Sequence, residues 1–166
     1  MLSSSVPLIY WDSCVFLEYI NQGDPVRASQ IQGLLRDNSH QLVTSMLSIV
    51  EVAWGKLEQD GKLLDPTTEQ TINKLWDMGS PIEVVEFYEL IAEDAKTLMR
   101  AGIPHGWSLK PADAIHIATA DRLAVSEFHT YDDAKLAKYS PFTKTKFPIV
   151  QPAAKQPVLA PAPHVI

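Results

Sequence analysis

Val6-Pro7-Leu8-Ile9-Tyr10-Trp11-Asp12-Ser13-Cys14-Val15-Phe16 is an apolar run that stops abruptly at an acid and a small hydroxyl residue. The first apolar part is short and carries a proline near its start, which suits a buried strand better than a helix. An acid at the point where such a strand gives way to a helix stands at the carboxyl edge of a sheet. Open α/β sheets place their ligands at that edge. If Asp12 serves a site, later segments must bring partners to it, and Glu51, Asp113 and Asp132 are the acids placed to do so.

Working outward, the same strand-then-helix pattern recurs. His40-Gln41-Leu42-Val43-Thr44, Pro81-Ile82-Glu83-Val84-Val85, Val125 to Tyr131 and Phe147-Pro148-Ile149-Val150 read as further strands, the last at an edge. Ser13 to about Asn21 reads as a helix. Asp24-Pro25 and Asp65-Pro66 each supply a cap and a proline at the first helical position, opening helices to about Asp37 and Gly79. Ser45 is expected to cap one continuous helix that runs through Glu51 to about Asp60 and stops at Gly61. Tyr88 to Arg100, Pro111 to about Ala124 and Asp132 to Tyr139 complete the helices. This alternation predicts an α/β fold of three layers, a central, mainly parallel sheet of about five strands flanked by helices. One domain is expected over 1–150. Pro152, Pro157, Pro161 and Pro163 mark 151–166 as a flexible tail or one that lies along a partner.

The 166 residues, 46% hydrophobic and 20% charged, suit a single globular domain with a real core. No apolar window is long enough for a membrane span, and no charged leader precedes an apolar run, so a cytoplasmic protein is expected. The single cysteine, Cys14, excludes an internal disulfide framework and reads as a small buried hydrophobe. A net charge of -6 argues against nucleic-acid binding only if the acids are spread over the surface. Gathered in one pocket and neutralised by metal, they leave that function open.

Each acid alone has a plain structural reading. Glu51 lies in the apolar helix Ser45-Met46-Leu47-Ser48-Ile49-Val50-Glu51, where it either reaches solvent or pairs with a cation; Ser48 shares its face. Asp113 follows Pro111 in a first helical turn, where the macrodipole favours an anion. His116 sits one turn on, as a packed residue or a substrate contact. Asp132 repeats the geometry of Asp12 and doubles as a helix cap, with Asp133 beside it as an alternative ligand. Together they are more telling. All four acids can meet at one edge of a parallel sheet, where clustered carboxylates repel one another and Mg²⁺ or Mn²⁺ relieves the repulsion. Metal-assisted phosphodiester hydrolysis needs such a cluster.

In this order the motifs resemble the PIN-domain family of nucleases, especially the VapC-type toxins of toxin–antitoxin pairs. The resemblance rests on Leu8-Ile9-Tyr10-Trp11-Asp12-Ser13, the Glu51 helix, Asp113-Ala114-Ile115-His116-Ile117-Ala118-Thr119-Ala120 and Thr130-Tyr131-Asp132, and covers roughly Val6 to Val150. It implies a Mg²⁺- or Mn²⁺-dependent endoribonuclease with Asp12, Glu51, Asp113 and Asp132 as both catalytic and metal-holding acids. Ser13, Ser48, His116, Asp133 and Lys110 are expected to support them. The implied partners are an RNA substrate, a cognate antitoxin and a second copy in a homodimer. Lys135, Lys138, Lys144 and Lys146 read either as phosphate contacts or as solvated surface, and Trp107 and Tyr131 as base-stacking or packing rings.

Two other enzyme-like folds fare worse. A haloacid-dehalogenase-type phosphatase wants a second acid two residues after the first, where Cys14 stands. A receiver-like domain wants paired acids at the first strand. The remaining alternative is a catalytically idle PIN-like module that binds RNA or protein, and loss of an acid would have favoured it.

Overall fold

The computed structural model describes residues 6–154. Five strands form one parallel sheet: β1 (Leu8–Trp11), β2 (Gln41–Ser45), β3 (Ile82–Val85), β4 (Glu127–His129) and β5 (Ile149–Val150), in the order β3-β2-β1-β4-β5. The helices are α1 (Ser13–Asn21), α2 (Pro25–Arg36), α3 (Leu47–Glu51), α4 (Lys56–Gly61), α5 (Pro66–Trp76), α6 (Glu89–Gly102), α7 (Pro111–Arg122) and α8 (Asp133–Leu136). The chain builds outward from β1 through β2 to β3, then returns to pair β4 on the other side of β1. That reversal makes the carboxyl ends of β1 and β4 a topological switch point, where α/β sheets open a crevice.

Side-chain alternation along β1 divides the core into two layers. Tyr10 enters one with Val43, Phe128 and residues of α6 and α7, including Ile91, Leu98, Ala114 and Ile117. Ile9 and Trp11 enter the other with Val15, Phe16, Ile31, Leu42 and Leu75 from α1, α2, β2 and α5. Both faces of the sheet are therefore covered, which explains why β1 reads as a nearly unbroken apolar run.

The caps fall where the proline pairs place them: Asp24 accepts from Val26 N–H at 2.8 Å and Asp65 from Thr68 N–H at 2.8 Å. The helix expected from Ser45 to Gly61 is instead two. Val52 leaves helical geometry, and Gly55, extended, becomes the cap of α4. The buried Glu58 carboxylate accepts Gly55 N–H at 3.1 Å and Asp65 N–H at 2.8 Å, while Asn21 accepts Lys56 N–H at 2.8 Å. These bonds satisfy a helix start at a position a continuous helix would have passed through.

The first residues beyond β5 pack on the domain. Pro152 is buried, Gln151 Nε2 donates to Asp133 Oδ1 at 3.0 Å, and Ala154 lies so near Gly33 that a Cβ there would stand 2.9 Å from its own. The rest of the expected flexible tail, 155–166, lies outside the described residues.

Candidate active site

Asp12 follows β1 in extended geometry and caps α1. Its N–H extends the sheet to His129 O at 3.1 Å. Its carboxylate, in a residue only 4% exposed, is held on both sides: Oδ1 accepts Ser13 N–H at 2.7 Å and Oδ2 accepts the Thr130 hydroxyl at 2.9 Å. Thr130 Oγ1 in turn accepts Asp132 N–H at 3.0 Å, so one threonine orients the acids that follow both central strands. The Cys14 thiol lies 3.5 Å from Asp12 Oδ2. Burial, then the charge of Asp12, pushes that thiol up to about 12, so it stays protonated.

Glu51 closes α3, and its Oε2 meets His116 Nε2 at 2.6 Å. His116 is fully buried on α7, with Nδ1 2.7 Å from the Tyr10 hydroxyl and Nε2 3.6 Å from Asp12 Oδ1. Burial disfavours its charged form. The hydrogen bond to Glu51 and the fields of Asp12, Glu51 and Asp113 outweigh this, so His116 sits above the ordinary histidine range. A raised folded-state pKa contributes stability that is fully present below the unfolded value of about 6.5 and is lost as pH rises through the folded value. NMR titration of metal-free protein should therefore place the His116 midpoint above about 6.5. A midpoint at or below it would contradict this arrangement.

Asp113 occupies the first turn of α7, with Oδ2 2.8 Å from Lys135 Nζ. This hydrogen bond, with the nearby charges of Asp113 and Asp132, raises the Lys135 ammonium above the ordinary lysine range. Asp132 is exposed, stands before α8 and makes no capping hydrogen bond. His116 thus joins Asp12 to Glu51, Lys135 pairs with Asp113 within the field of Asp132, and Thr130 ties the Asp132 backbone to the Asp12 carboxylate.

The supporting residues divide. Ser13 lies against Asp12, with its hydroxyl at 3.4 Å, and His116 lies at the centre. Ser48 is buried and bonds Thr44 Oγ1 at 2.7 Å, turned into the sheet edge while Glu51 meets His116. Asp133 accepts from Gln151, and Lys110 is an exposed cap of α7. Trp107 stacks on His105 at 4.6 Å and carries Lys138 over its ring at 4.8 Å; the Tyr131 ring carries Arg27 at 4.3 Å. Packing accounts for both rings. Tyr10 and Thr130, to which spacing gives no role, contact His116 and Asp12, and Lys135, expected as a phosphate contact or solvated surface, pairs with Asp113. For Thr130 the signal was its place two residues before Asp132.

The donors are carboxylate oxygens, which suit Mg²⁺ or Mn²⁺ better than softer metals. Among the described residues no three His, Cys, Asp or Glu side chains form a group poised to hold a metal ion. Glu51 and Asp113 are instead each turned to a basic side chain, the kind of neutralisation that close carboxylates demand.

Solved structures share this architecture. FitAcB from Neisseria gonorrhoeae aligns with a TM-score of 0.61 at 17% identity, over 87% of this chain and 97% of its own. VapBC2 from Rickettsia felis, bound to a promoter DNA fragment, aligns at 0.58 and 13%, over 86% and 96%. VapC20 from Mycobacterium tuberculosis, a sarcin-ricin loop cleaving toxin, aligns at 0.55 and 15%, over 81% and 94%. Comparison with curated proteins finds no match. The PIN domain family model matches residues 9–140, which include the segments carrying Asp12, Glu51, Asp113 and Asp132, and the chain belongs to that family.

Proposed function

We propose that the chain is a divalent-metal-dependent endoribonuclease and the toxin of a toxin–antitoxin pair. The observation that carries the proposal is the Asp12 carboxylate, buried at the β1–β4 switch point and joined to Glu51 through His116. Family membership supports a nuclease. The complexes of FitAcB and VapBC2 and the sarcin-ricin activity of VapC20 belong to those proteins, and they motivate an antitoxin partner and an RNA substrate here. We place the nuclease at 1–150, working as a homodimer in the cytoplasm with its RNA. No helix among the described residues is long and apolar enough to cross a membrane.

Asp12, Glu51, Asp113 and Asp132 would hold Mg²⁺ or Mn²⁺. When bound, the ion supplies charge stabilisation on the phosphate and eases deprotonation of the attacking water. The protein's own groups do the rest. Asp12 is locked in orientation by Ser13 and Thr130, and Glu51 by His116. Lys135, 39% exposed, supplies positive charge where an RNA phosphate can reach it. Asp132, exposed and not engaged in capping, is the carboxylate best placed to accept a proton from water.

The test is cleavage of a labelled single-stranded RNA pool by the partner-free protein with Mn²⁺ or Mg²⁺. Cutting should vanish with EDTA and in Asp113→Asn. A folded wild type that leaves a broad pool intact would move the reading to an idle binding module.

A further inference from the structure

We infer that Tyr10 and His116 are positioning residues that aim the Glu51 carboxylate, acting as one hydrogen-bonded rod through the core. This rests on the reading of Glu51 as a metal-holding acid. Val52 anchors the backbone beside Glu51 in the core, but the carboxylate itself sits at the end of a helix of only Leu47–Glu51, with Val50 and Trp54 exposed around it. A glutamate has three side-chain torsions to settle, and ordering them costs free energy. The one hydrogen bond found for this carboxylate among the described residues comes from His116.

The rod is anchored at its far end. Ser45 N–H donates to the Tyr10 hydroxyl at 3.0 Å, that oxygen meets His116 Nδ1 at 2.7 Å, and Nε2 meets Glu51 at 2.6 Å. An ionised carboxylate only accepts, so Nε2 is the donor there, and the bond at Nδ1 sets the plane of the ring. Tyr10 is fully buried and stacks on Phe128 with ring centroids 5.0 Å apart. If packing were the only demand at this position, phenylalanine would meet it without burying a hydroxyl. The hydroxyl is present because it holds His116, and thereby ties β2, β1 and α7 to the end of α3. Partners behind a ligand commonly set metal affinity in this way.

Tyr10→Phe keeps the ring and removes the hydroxyl. By calorimetric titration of the full chain with Mn²⁺ alone, it should weaken binding about tenfold. In a Glu51→Ala background the same change should have no further effect on that binding, because the side chain the rod aims is gone. Unchanged affinity, or an equal loss in both backgrounds, would overturn the inference, the latter by showing a general disturbance of the core. A measurement that needs no Tyr10 variant is the ring ¹⁵N spectrum of His116. Mg²⁺ should shift those resonances in wild type and by clearly less in Glu51→Ala, where Asp12, 3.6 Å from Nε2, is the remaining link, and no shift in wild type or an equal shift in both would overturn the rod. Wild type that binds no Mn²⁺ would instead overturn the metal reading of Glu51, and the rod with it.

Discussion

Asp12→Asn should lower the rate of RNA cleavage on the order of 10³-fold while leaving the protein folded. Asparagine keeps an oxygen to accept Ser13 N–H at the position where Asp12 Oδ1 now accepts it at 2.7 Å. Thr130, whose hydroxyl now donates to Oδ2, can rotate to accept from the new amide. The bond from Ser13 survives, Thr130 and Cys14 reorient around the new amide, and the charge is lost. A carboxylate that holds a catalytic cation supports several kcal/mol of charge stabilisation, and about 4 kcal/mol corresponds to roughly three powers of ten in rate. Single-turnover cleavage at saturating Mn²⁺, beside a thermal melt, checks both halves. A variant that cuts like wild type would remove Asp12 from the site. One that is inactive because it is unfolded would leave the charge argument unsupported.

Phe16→Ala should have the largest effect on stability and little on chemistry at low temperature. Phe16 is fully buried and meets Trp11 at 5.4 Å and Trp76 at 5.1 Å between ring centroids, joining β1, α1 and α5 in a single contact set. Truncating such a ring removes its transfer free energy and leaves a cavity, about 3–5 kcal/mol together. For a chain of this size that is a fall in Tm of about 10 °C. Because Asp12 is anchored by Ser13 and Thr130 and not by Phe16, cleavage by the folded fraction should persist. Calorimetric melts and cleavage well below the new Tm separate the two effects. A melt within about 1 kcal/mol of wild type would mean that the ring is not the joint it is taken to be.

Much of the scaffold was legible because it depends on local rules. The short, proline-bearing apolar run before Asp12 suits a buried strand better than a helix, and α2 and α5 begin at the acid–proline pairs that announce them. The break between α3 and α4 was not legible. Val52-Ala53-Trp54-Gly55 carries no strong helix breaker before its glycine, and the decisive bonds come from Glu58, Asp65 and Asn21, of which Asn21 lies 35 residues away in sequence. Ser48 lies on α3 with Glu51, but its hydroxyl bonds Thr44 in β2, a packing consequence that helical spacing alone does not report.

The acids were legible as candidates, since each stands at a strand end or in a helix next to one. What connects them was hidden. Tyr10 and His116 are 106 residues apart, and Asp113 and Lys135 are 22 apart on different helices. No local periodicity reports that a strand tyrosine reaches a helix histidine across the core. Sequence spacing located the charges; only the packed sheet shows that Glu51 and Asp113 are each already paired with a basic side chain.

In the proposed enzyme the carboxylates of Asp12, Glu51, Asp113 and Asp132 come together as one metal site. Activity can fall for many reasons, but the position of a bound ion has a single reading. Crystals grown with Mn²⁺ and measured at its absorption edge should show anomalous density among these four side chains, with Glu51 and Asp113 engaged at the ion and Lys135 displaced from Asp113. Density elsewhere, or none there at millimolar Mn²⁺, would contradict it.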